Sequence, residues 1–249
     1  MVGYNARRQI SSRGFYQVMG LYKKLKMKMP WKQKRLRLER EAQTAAAQKA
    51  IDIINERTPE SGRAVFIDCG FNTRAVFDHY YSQLGGRYEY IGFEIQPSLW
   101  QAAQESSDYS SPPVDFIHAA VSDKADTLYY YEPRKWGLNY KGGASILSEK
   151  QDRTMDKVTI PIEAVDFSSF LSERFSEDDF LVVKMDIEGA EYPVLEKLID
   201  SDRLKYIDLL FVEFHAKWLS STPEKDWDEI HQKVVAELKN QSIEYYDWI

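Results

Sequence analysis

Four charged residues crowd the stretch "LVVKMDIEGAEYPVL" (181–195), where an apolar run of strand character gives way to Lys184, Asp186, Glu188 and Glu191. Carboxylates just past the end of a buried strand can hold a ligand's polar groups or take up a proton. The pattern recurs. "FIDCGFNTR" closes an apolar run with Asp68, Cys69 and Gly70, "YIGFEI" carries Glu94, and "LLFVEFH" ends on Glu213, Phe214 and His215. In open α/β sheets, ligands sit beyond the carboxyl ends of the strands, near the point where strand order reverses. The four ends therefore predict one shared mouth.

The first two ends form a chemically informative pair. After Asp68 comes a glycine, which lets the backbone turn closely around a ligand, and then a helix whose first amides lack intrahelical partners. Glu94 lies 26 residues after Asp68, where a carboxylate can accept both hydroxyls of a ribose. Together they point to a nucleoside-containing cofactor. There is no G-x-x-x-x-G-K-[ST], and Gly70 lacks the further glycines of G-x-G-x-x-G, so that cofactor need not carry a pyrophosphate. Other charges have structural readings. Glu188 and Glu191 suit the positive N-terminal end of a following helix, and Lys184, in phase with Asp186 along the strand, suits a salt bridge. Cys69 reads as a small buried residue, and Tyr129 to Tyr131 as part of a sheet face.

Positioning these residues requires alternating strands and helices, and the sequence supplies them. Apolar runs at 64–70, 88–95 and 114–122 read as strands, separated by helical patterns at 74–85 and 98–106. Such βαβ alternation implies a mostly parallel sheet covered on both faces. A leading helix over 36–57 places Ala47, Ile51 and Ile54 on one stripe and stops before Pro59. Residues 126–154 break the rhythm: "DTLYYYEP" is β-prone, and the loop after it carries Gly137, Gly142 and Gly143. This predicts a hairpin and loop inserted over one edge of the sheet. A strand and short helix at 157–171 follow. The sheet resumes at 180–186 and 206–215, with helices at 190–200 and 223–241 and a last strand in "SIEYYDWI".

In chain order, "VFIDCGFNT", "YIGFEIQPS", "HAAVSD", "GGASIL", "LVVKMDIEGAEYPVLEKL" and "LLFVEFH" resemble the FkbM family of S-adenosylmethionine-dependent methyltransferases. The resemblance covers about residues 64–216, and the Lys-x-Asp-x-Glu-Gly-Ala-Glu block is its most specific part. It implies an α/β, class I methyltransferase fold, Rossmann-like, with a mostly parallel central sheet, helices on both faces and a reversed C-terminal strand. It also implies methyl transfer from S-adenosyl-L-methionine to a hydroxyl of a sugar, glycan or related small molecule. Carried onto this sequence, Asp68 and Gly70 would support the methionine part of the cofactor, with Phe71 and Asn72 in the same turn. Glu94 would hold the ribose hydroxyls, His118, Ala119 and Ala120 would border the adenine, and Asp186 would lie near the cofactor's amino group and the reacting centre. Arg74 stands where similar sequences usually carry a second glycine.

A sulfonium methyl is already electrophilic, so a protein using one has to align the acceptor oxygen and share its proton. The catalytic candidates are Asp186, Glu191, Glu213 and His215. His215 is the natural proton acceptor near neutral pH, and Asp186 the positioner. The carboxylates also admit Mg²⁺, although no motif or Cys/His spacing marks a metal site. In the insert, Tyr129, Trp136, Tyr140 and Ser145 are suited to stacking on a sugar ring and closing over it.

Composition bounds the remainder. The 249 residues are 43% hydrophobic and 14% aromatic, enough for one sizeable core and against global disorder. One cysteine, no apolar run of membrane-spanning length and no signal-peptide core predict a cytoplasmic protein. The net charge of −6 conceals a division: residues 1–40 hold twelve Lys/Arg against Glu39, leaving the remainder at −17. Residues 1–35 read as a basic arm or amphipathic helix, and residues 36–249 as the methyltransferase domain. The basic end suits an anionic membrane surface, with peripheral attachment, or self-association through residues 1–40. Two rival readings come from it. One is an RNA ribose or cap methyltransferase, which the acidic body disfavours; the other is a non-catalytic membrane-peripheral or scaffold protein that keeps the fold.

Overall fold

The computed structural model describes residues 44–72, 74–105, 114–133, 143–150, 155–241 and 243–248. The arm expected over 1–35, the start of the 36–57 helix, and Trp136 and Tyr140 lie outside the described residues. The chain divides into two units, Met1–Ala46 and Ala47–Ile249; of the first, residues 44–46 are described and are helical. The second unit contains, in order, α1 (47–57), β1 (Ala64–Cys69), α2 (Arg74–Leu84), β2 (Glu89–Phe93), α3 (Pro97–Gln104), β3 (Val114–Ile117), β4 (Ala120–Ser122), β5 (Asp126–Pro133) and β6 (Met155–Asp166). It continues with α4 (Phe167–Arg174), β7 (Phe180–Met185), α5 (Glu191–Asp200), β8 (Leu209–Val212), α6 (Trp227–Asn240) and β9 (Glu244–Asp247).

Six strands make one sheet in the order β3-β2-β1-β7-β8-β9, and every pairing in it is parallel. β1 and β7 are buried along their whole length, as expected of strands covered on both faces. Side-chain alternation sends Val65 and Ile67 to one face, against Leu195, Leu198, Val234 and Leu238 of α5 and α6. It sends Phe66 to the other, against Ile51 and Ile54 of α1 and Phe77 and Tyr80 of α2. Each such fully buried aliphatic or Phe side chain contributes about 1.5–3 kcal/mol. Side-chain caps fix two helix starts: Asp166 accepts from the Ser169 amide at α4, and Asp226 from the Asp228 and Glu229 amides at α6.

Among the described residues the expected reversed C-terminal strand is not found: β9 runs parallel to β8. The 14-residue helix α6 joins them, the kind of crossover connection that parallel neighbours need. The strand expected over 114–122 also divides. Its first half, β3, closes the edge of the main sheet, and after His118 and Ala119 the chain enters a second sheet, ordered β4-β6-β5. There β5 and β6 pair antiparallel, so the hairpin that begins at residue 126 returns along β6, past residue 154, to Asp166. Among the described residues, no helix is long and apolar enough to cross a membrane.

The main sheet brings the polar strand ends together in two ways. From β1 the chain steps outward to β2 and β3, and from β7 it steps the other way to β8 and β9, so strand order reverses between β1 and β7. The four central strands also end level: Cys69 pairs with Phe93 and with Met185, and Met185 pairs with Val212. The next residues, Gly70, Glu94, Asp186 and Glu213, consequently form one row at the reversal.

Candidate active site

A cavity open to solvent lies at this row. Gly70, Asn72, Glu94, Ala119, Ala120 and Asp186 are among its lining residues. Gly70 has φ +84, and a Cβ there would collide with the Asp186 carbonyl oxygen; no other residue type lets β1 and β7 turn out of the sheet so close together. Asn72 follows with φ 51. Its amide donates to one Glu94 oxygen at 2.9 Å, and the Gln96 amide donates to the other at 2.8 Å. Burial pushes the Glu94 carboxyl up to about 7, against the pull of these amides. The carboxylate keeps lone-pair capacity for a further donor. The buried Oδ1 of Asn72 has no partner and fits a ligand ammonium. The donors and acceptors at this end thus suit a nucleoside that carries an amino group.

Three residues expected at the cofactor lie outside the cavity lining. Asp68 is fully buried and outside the cavity lining; it lies across from Lys184 in the β1–β7 register and pairs with it at 3.0 Å. Being an even residue of β1, it points to the helix-packed face that takes Phe66, not to the strand end. Burial raises the Asp68 carboxyl, and Lys184 opposes that rise. Burial also lowers Lys184, but Asp68 and Asp186 outweigh it and the net direction is upward. Phe71 packs in the core, 5.1 Å from the Phe116 ring. His118 stacks on Trp100 at 5.1 Å, with its Nε2 3.1 Å from the Ile95 carbonyl, while its neighbours Ala119 and Ala120 face the cavity.

Past β7, the chain makes a turn in which Glu188 and Gly189 both have positive φ, 59 and 109. Glu191 shapes it. Its carboxylate, 0% exposed, accepts the Ile187 amide at 2.9 Å and the Gly189 amide at 2.8 Å, so it turns back on the loop and does not enter the mouth. Glu191 Oε1 also lies 3.0 Å from Nδ1 of His215. A carboxylate only accepts, so Nδ1 carries the proton and Nε2 is the free nitrogen of the neutral ring. Nε2 faces Glu188 at 3.3 Å, Glu213 at 3.8 Å and Asp186 at 3.9 Å. Burial lowers the pKa of His215, but the bond to Glu191 and the charges of Glu191, Asp186 and Glu213 hold it above 6.5. Burial, then the charge of Asp186, raises Glu213. Tyr192 anchors the far side by accepting the Ala216 amide at 3.0 Å.

Two participants have no clear signal in the sequence. Glu188, read as a helix-end charge, lines the cavity from a left-handed backbone position. Lys150, from the loop between β5 and β6, pairs with Glu188, and Gly143, Ala144 and Ile146 of the same loop line the cavity. "GGASIL" was the available clue to that loop. Ser145 is fully buried and donates to the Glu188 carbonyl at 2.8 Å, a bracing contact in place of the sugar contact expected. Tyr129 is exposed on β5 and Tyr130 buried. Asp186, Glu188 and His215 bring ligand-type atoms within 4.8 Å of one another. Lys184 stands 3.7 Å from Asp186, however, and Lys150 is seated on Glu188. With ammonium groups already on both carboxylates, the set does not fit Mg²⁺, which demands a near-octahedral shell at about 2.0–2.1 Å.

A family model described as the methyltransferase FkbM domain matches residues 66–242. In comparisons with curated proteins and with solved structures, nothing matches the chain.

Proposed function

Because the chain belongs to the FkbM methyltransferase family, we propose that it transfers a methyl group from S-adenosylmethionine to a hydroxyl of a sugar, glycan or related small molecule. The cofactor, when bound, supplies an electrophilic sulfonium methyl. The chain's residues do the rest. Glu94 accepts the ribose hydroxyls, Asn72 Oδ1 accepts from the amino group, and Ala119 and Ala120 flank the adenine. Asp186 and Glu188 line the cavity where the acceptor hydroxyl is held, and the proton that the hydroxyl loses goes to Nε2 of His215. Glu191 then stabilises the imidazolium through Nδ1.

The observation that carries this reading is the Glu191–His215 pair beside the row of strand ends. An oxygen acceptor needs a base, and a histidine oriented through Nδ1 by a buried carboxylate supplies one. The test is transfer of labelled methyl from S-adenosylmethionine to a panel of monosaccharides and oligosaccharides, with and without chelator. Transfer to a sugar hydroxyl that is lost in His215→Gln and unaffected by chelator is expected. Methylation of RNA alone, or unimpaired turnover by His215→Gln, would refute the reading.

A further inference from the structure

Lys150 belongs to the β5–β6 loop, yet its side chain is 8% exposed and meets Glu188 of the site. It donates to the Gly143 carbonyl at 3.2 Å and pairs with Oε2 of Glu188. That same oxygen is the one 3.3 Å from Nε2 of His215. Glu188 holds a backbone conformation that non-glycine residues rarely adopt, and Ser145 braces its carbonyl. A buried cation and a strained residue thus converge on the nitrogen that has to receive a proton.

We propose that Lys150 is a positioning residue of the methyl-transfer site: its ammonium neutralises Glu188 and thereby leaves the Nε2 lone pair of His215 free to take the acceptor's proton. The proposal rests on His215 being the base. The groups facing the ring are Glu191 from α5 at Nδ1, and Asp186, Glu188 and Glu213 from the turns after β7 and β8 at Nε2. Asp186 is offset by Lys184 of β7. Glu188 is the carboxylate closest to Nε2. Left bare, it would keep a proton on Nε2 and hold the ring as imidazolium, which accepts nothing. An ammonium on the same oxygen weakens that grip, so the β5–β6 loop sets the pH at which the base is available.

The experiment is an NMR titration of the His215 ring in the full chain, its signal assigned by its loss in His215→Gln. Wild type is compared with Lys150→Met, Lys150→Gln and Lys150→Arg, and folding is checked by thermal melting and by S-adenosylhomocysteine affinity at pH 8. The Met and Gln variants are expected to raise the pKa of His215 by about one to three units, while Arg keeps it near wild type. The acid limb of the pH–rate profile, taken with a sugar that the wild type turns over, is expected to move with it. An unmoved His215 pKa in a folded Met or Gln variant overturns the proposal, whatever the activity. A risen pKa with an unmoved acid limb removes His215 as the base, and the proposal falls together with the assignment of that role.

Discussion

Glu94 is 6% exposed and has a pKa near 7, against an ordinary 4.5, which makes ligand binding pH-dependent in a calculable way. Only the ionised carboxylate can accept both hydroxyls of a ribose. Protons therefore compete with the ligand, and affinity falls by a factor of one plus ten to the power (7 − pH). The loss is small at pH 8, about twofold at pH 7 and about tenfold at pH 6. Folding stability runs in the opposite sense, because the folded pKa is raised: the contribution of Glu94 is fully present below 4.5 and is lost as pH rises through 7, by about 3 kcal/mol. The assay is calorimetric titration with adenosine, which carries the diol but no charge in this range, so that the state of His215 contributes little. Glu94→Gln should bind more weakly than wild type at pH 8 and show no pH dependence. Equal adenosine affinity for wild type at pH 8 and pH 6, or the same slope in Glu94→Gln, would refute the reasoning.

Three further outcomes are expected. Lys184→Met strands Asp68 at 0% exposure and should cost about 3–5 kcal/mol in denaturant melts, whereas the double change Asp68→Asn with Lys184→Met should recover most of it. Gly70→Ala forces a left-handed conformation worth about 1–2 kcal/mol and a Cβ contact with the Asp186 carbonyl; adenosine affinity should drop along with the melting temperature. Glu191→Gln should lower kcat by about 10²–10⁴, because its amide group can donate to His215 Nδ1 and so favour the wrong tautomer, with adenosine affinity at pH 8 left within a factor of about two or three.

What the sequence made legible was the periodic part of the chain. Strand runs such as "AVFIDC" and "FLVVKM" are apolar on both faces and end in polar residues, so the sheet and the row Gly70, Glu94, Asp186 and Glu213 could be read from pattern alone. Side-chain direction was less accessible. Asp68 shares a motif with Gly70, but its parity in β1 sends it to a helix-packed face. Glu191 looks like a helix-start charge until the two positive φ values of the preceding turn fold it back on the Ile187 and Gly189 amides. Lys150 was beyond reach, since its role depends on where an irregular loop returns, and no periodicity encodes that. The direction of β9 goes with the helix before it, against what the resemblance implies.

The buried pair of Asp68 and Lys184 has a consequence for how the sheet assembles. β1 and β7 are separated by more than a hundred residues, and their runs of similar apolar side chains offer little to distinguish one alignment from the next. A slip by one residue would turn Lys184 to the opposite face and leave two lone charges in the core, a penalty far above that of mismatched aliphatics. The ion pair therefore penalises misalignment of β1 and β7. The level strand ends on which a reactive mouth depends are thus favoured by two charges that lie outside its lining.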